Sequence, residues 1–163
     1  MALTDLSALA LSGLIERREV SPVEAMEACL ARIGAANGAV NAVVSLRDED
    51  ALMAEARAAE AGPRKGWLHG IPLAVKDLVA VEGIRTTWGS RAFETHVSQR
   101  SDYSVERLEG NGAIIVAKAN CGIPVWKGDS FIYSGTPEIM AAYARLARDA
   151  GARIIGGCCG TRG

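Results

Sequence analysis

The chain has 163 residues, 49% of them apolar and 23% charged, with a formal net charge of −1, which suits a soluble globular protein with one ordinary core. The interspersed acids and bases exclude a basic face for nucleic acid or a membrane surface, and no apolar run approaches the roughly 20 residues needed to span a bilayer. The start, MALTDLSALALSGLIERREV, has no basic residue before its apolar part, so it is a poor signal peptide and the expected compartment is the cytosol.

Thr4 is placed to cap a first helix running to about Arg18. The segment SPVEAMEACLARIGAAN (21–37) carries a strong helix start: Ser21 caps, Pro22 takes the first helical position, and Glu24 completes a capping box. Val23, Met26, Leu30 and Ile33 share one face, and Cys29 beside them is expected to pack as a small hydrophobe. AVNAVVSL (39–46) is a β-prone run. RDEDALMAEARAAEAG (47–62) is a helix with acids in its first turn and Gly62 as its stop. A loop over 63–70 leads to IPLAVKDL (71–78), a buried strand, and then to a loop with Gly83, Thr86, Thr87, Gly89 and Ser90. SDYSVERLEGNG (101–112) is a short helix ended by glycine, and AIIVAK (113–118) is a second buried strand.

Beyond it, residues 119–135 are loop-like with one short strand expected around 131–133. TPEIMAAYARLARDAG (136–151) is a helix capped by Thr136, opened by Pro137 and stopped by Gly151. ARIIGG (152–157) is a third buried strand that delivers Cys158 and Cys159 at its C-terminal end. Strand, helix, strand in this order is a parallel crossover, so the fold class is α/β, with functional groups expected where strands end.

Lys76 is the first chemical candidate. Leaving an apolar strand, its amine is partly desolvated, which lowers a lysine pKa and makes it usable as a base. The plain alternative is a lysine that snorkels to water. HGIPLAVKD, then GIRTTWGS, then SDYSVERLEGNGAIIVAKAN, resemble the amidase signature family, and the likeness runs from near LSALALSGLIERREVSPVEAMEACLARI to about Asn120. The resemblance implies α/β/α layers around a large mixed sheet and no cofactor. It makes Lys76 the terminal base of a Ser–cis-Ser–Lys triad, whose acyl-enzyme is resolved by water or ammonia. The family includes amide hydrolases and the amidotransferase A-subunits of transamidation complexes; the partner of this chain stays unknown, and a chain that supplies the missing elements is one possibility. Its two serines belong to a Gly/Ser-rich stretch downstream of AIIVAKAN. Here Cys121, Gly122, Ile123 and Pro124 follow instead, and Ser90, Ser98, Ser101 and Ser104 do not match the serine positions. Lys76 is then a base without a nucleophile, and no amidase turnover is expected from the chain alone.

The second candidate is the cysteine pair. From about Ala117 the chain, above all GARIIGGCCGT, resembles the C-terminal part of the homocysteine S-methyltransferase family. That resemblance implies the last strand–helix–strand unit of a (β/α)8 barrel. Cys158 and Cys159 would be zinc ligands, with the zinc holding homocysteine as a thiolate. Zinc of this kind needs three thiolates. The family's third ligand comes from an earlier strand that this chain lacks, and Cys121 aligns where the family commonly has alanine. The expected organisation is an amidase-like region over 1–120 joined to a methyltransferase-like tail over 117–163, overlapping at VAKAN (116–120). Neither half brings the elements that its core normally packs against, so an incomplete fold and a truncated hybrid are expected. Three functions remain open: an amidase-type fragment inactive alone, a remnant of a zinc-dependent methyltransferase, and a non-enzymatic or misassembled product.

Overall fold

The computed structural model describes residues 2–119 together with 125–127, 130–132, 141 and 145. The chain divides into two compact units, Met1–Asn120 and Cys121–Gly163.

The first unit opens on a short 3-10 turn, Leu3–Asp5, which contains Thr4. Thr4 is therefore not the helix cap that the sequence suggested. The chain straightens at Leu6 and Ser7, and helix α1 (Ala8–Glu16) starts afresh with Ser7 Oγ accepting Ala10 N at 3.2 Å. It ends in a Schellman turn: Glu19 N donates to Leu14 O, Arg18 N donates to Ile15 O, and Arg18 sits at φ 58°.

Helix α2 (Pro22–Val40) has the expected start. Ser21 Oγ accepts Glu24 N at 3.0 Å, and the Glu24 carboxylate accepts Ser21 N at 2.8 Å. The helix runs on into the β-prone run and stops at Asn41, in the left-handed conformation at φ 47°. Strand β1 is accordingly shorter than expected, Val43–Leu46. The Asn37 amide explains the boundary, because it pairs with both Val43 N and Val43 O at 2.8 and 3.0 Å and fixes where the strand begins. Helix α3 (Glu49–Ala61) is capped by Asp48, whose Oδ1 accepts Ala51 N at 2.9 Å, and it stops at Gly62.

Strand β2 (Pro72–Lys76), helix α4 (Tyr103–Gly110) and strand β3 (Ile114–Ala119) form a parallel crossover. The sheet order is β1-β3-β2, with β1 antiparallel to the central β3. One core cluster joins Met26 of α2 and Leu52 and Ala56 of α3 to Ile114, Val116 and Ala117 of β3, with Val23, Leu30, Ile33 and half-buried Cys29 packed against it. Burial pushes the Cys29 thiol pKa up, as suits a small core residue. A second cluster joins Val75 and Ile115 to Val81, Ile84 and Val105. Gly112 shows how closely the chain packs: at φ 93°, an added Cβ would lie 2.7 Å from His69 Cα, so only glycine fits.

In the second unit, β4 (Val125–Lys127) and β5 (Ser130–Ile132) pair antiparallel, and β5 overlaps the short strand expected at 131–133. Ala141 and Arg145 are helical. The rest of the helix expected at 136–151, the strand expected at 152–157, and Cys121, Cys158 and Cys159 lie outside the described residues.

Candidate active site at the end of β2

Lys76 is the last residue of β2, half-buried, and opposite Ala119 in the parallel ladder. Its carbonyl accepts Val79 N, and Asp77 N donates to Ala119 O, both at 3.0 Å. Strand alternation puts Lys76 on the same face as Ala74, which is exposed, and puts Asp77 on the buried face of Val75. Lys76 thus stands at a strand end, on the face of the sheet opposite Val75 and Asp77.

The opposite side carries the apolar cluster of Val75 and Ile115 and, at the strand end, buried charged groups. Asp77 is fully buried, and its carboxylate accepts Thr87 N at 3.1 Å and Thr87 Oγ1 at 2.5 Å. Lys118 is fully buried too, and its Nζ donates to Val79 O. Burial lowers the Lys118 pKa, while the carboxylates of Asp77 and Asp102 act to raise it. Asp102 and Ala80 exchange two bonds: Ala80 N donates to Asp102 Oδ2 at 2.6 Å and Asp102 N to Ala80 O at 3.0 Å. Arg85 reaches β1, where its guanidinium donates to Val44 O at 2.5 Å and to Ser45 Oγ at 3.1 Å, beside the irregular step between Val43 and Ser45. Residues 77–102 are therefore pinned to all three strands. On their outer surface Trp88, Phe93 and His96 stack, with ring centroids 4.9 Å apart for Trp88–His96 and 5.1 Å for Trp88–Phe93.

These geometries limit the chemistry. Ser90 Oγ accepts Ala92 N within a local turn, and Ser101 Oγ accepts Glu82 N from 19 residues earlier in the chain. Ser98 is buried. Among the described residues, no group of three or more His, Cys, Asp or Glu could hold a metal ion. A cleft of about 550 Å³ lies between the α1–α2 turn and the end of α3, lined by residues including Arg18, Glu24, Glu60 and His69, and Lys76 is not among them. Sequence reading assigned no role to Lys118, Asp77 or Thr87. A signal was present, however: a lysine inside the apolar run AIIVAK cannot be buried without an acceptor for its amine.

A family model described as Amidase matches residues 24–123. The chain belongs to the amidase family. A second model, Homocysteine S-methyltransferase, matches residues 89–163, so the two matches share 89–123, which contains the VAKAN segment. An acylamidase of Rhodococcus erythropolis is 33% identical over 136 residues, 80% of this chain and 28% of its own length. The glutamyl-tRNA(Gln) amidotransferase A-subunit of Methylococcus capsulatus is 42% identical over 113 residues, 68% of this chain and 23% of its own length. The crystal structure of the native peptide amidase from Stenotrophomonas maltophilia superposes with a TM-score of 0.63 at 27% identity, over 71% of this chain and 25% of that one. The chain thus spans about a quarter of the length of these relatives.

Proposed function

We propose that this chain is a hybrid whose amidase-type region keeps the family lysine, Lys76, but hydrolyses no amide by itself. The observation that carries the reading is the sequence beyond β3. Where the resemblance calls for a Gly/Ser-rich stretch, the chain has Cys121-Gly122-Ile123-Pro124, and Ser130 and Ser134 beyond it stand apart from any such motif. A base raises the nucleophilicity of a neighbouring hydroxyl, and without that hydroxyl it forms no acyl-enzyme. Ser90, Ser98, Ser101 and Ser104 do not stand at the family's serine positions, so the resemblance offers no substitute among them. A partner chain bearing the missing stretch would have to complete the site. A serine-directed fluorophosphonate tests this reading. The purified chain is expected to stay unlabelled, and stoichiometric labelling of any serine would overturn the reading.

A second reading is favoured by the methyltransferase match over 89–163. Cys158 and Cys159 would be the metal ligands, and zinc, when bound, would hold a thiol substrate ionised. The donor set does not fit that demand. Two adjacent thiolates are one short of the three that the resemblance calls for. Metal analysis of the purified chain should find less than one zinc per chain. One-to-one zinc that disappears in a Cys158→Ser/Cys159→Ser variant would instead establish the second reading.

A further inference from the structure

Two charged side chains without solvent exposure meet the turn that follows Lys76. Lys118 donates its amine to Val79 O, three residues beyond Lys76. Asp77, the very next residue, holds both the amide and the hydroxyl of Thr87. The ladder pairs Val75 with Lys118 and Lys76 with Ala119, so both charged groups lie on the face of the sheet opposite Lys76. Neither lies on the face of the sheet that carries Lys76, so both act on Lys76 only through the backbone. Fully buried charges persist only where hydrogen bonds and opposite charge offset their desolvation. Here the compensating partners are the carbonyl of Val79, the Thr87 amide and hydroxyl, and the carboxylates of Asp77 and Asp102 near the Lys118 amine. All of them belong to, or border, the excursion over residues 77–102.

We propose that Lys118 and Asp77 are positioning residues: together they latch residues 77–87 against the end of the sheet and fix the turn from which Lys76 leaves β2. The latch deepens the reading of Lys76 as the family base, yet its test does not depend on turnover, so the two can fail separately. A merely structural pair would lower the stability of the whole unit. A latch opens locally.

Amide hydrogen exchange on the full chain separates these outcomes. In Lys118→Met, which keeps the stem but removes the amine, exchange at Val79 and Thr87 should accelerate at least tenfold, with Ala25 and Leu52 in α2 and α3 unchanged. A uniform acceleration, or none, would overturn the latch. Should Lys118→Met be recovered unfolded, Thr87→Val decides instead, because Thr87 is only half-buried. The latch then predicts the same local acceleration at Val79 and the residue 87 amide, and unchanged exchange there would overturn it.

Discussion

Lys118 combines no solvent exposure with an ionisable amine, and its place in the fold has a pH signature. Burial holds its pKa below the ordinary 10.5, and Asp77 and Asp102 offset only part of that lowering. The unfolded chain therefore binds this proton more tightly than the folded one. Between the lowered folded value and 10.5, folding releases a proton and stability rises with pH; below the folded value that gain is absent. Urea midpoints of the wild type, measured against those of Lys118→Met, should diverge in favour of the wild type as pH is raised towards 10.5. Parallel profiles would show that Lys118 titrates as it does in the unfolded chain. Lys76, one register step away, gains from the same architecture without sharing the burial. Its role in the fold is to end a strand, and Asp77 and Thr87 on the other face hold that end in place.

At the scale of elements, the stop of α1 carries a visible strain. Arg18 occupies the left-handed position of a Schellman turn, where glycine is the usual residue because it has no Cβ to clash. Arg18→Gly should stabilise the first unit by about 1 kcal/mol, a rise of roughly 2–5 °C in Tm, read by thermal denaturation. An unchanged or lower Tm would mean that the guanidinium contributes more than the strain costs. The same helices show what was legible in the sequence. The α2 start was readable because its whole signal, Ser21, Pro22 and Glu24, lies within four residues and forms both bonds of the capping box. The start of α1 was misread because Thr4 and Ser7 are both competent caps, and the backbone straightening at Leu6 and Ser7 decides between them. The start of β1 was misplaced because the Asn37 side chain sets it, and no β-propensity scale records that contact. Lys118 was seen as part of a buried strand, but its acceptor, Val79 O, is 39 residues away in the chain. Contacts of that range are invisible to periodicity.

At the scale of the whole molecule, the chain pairs an amidase-family region with a segment matched by a methyltransferase family. The amidase part is locally consistent: capped helices, a parallel crossover and, among the described residues, three core clusters, one on α2 and α3, one joining Ile15 of α1 to Leu68 and Ile71, and one under residues 77–102. The relatives it matches are about four times its matched length. The proposal that Lys76 activates no serine of this chain makes a prediction for turnover. The most direct test is release of ammonia or amine from simple acyl amides and anilides by the purified full chain, run beside Lys76→Ala. Both proteins are expected to stay at the buffer rate. Turnover by the wild type that is lost in Lys76→Ala would contradict the proposal.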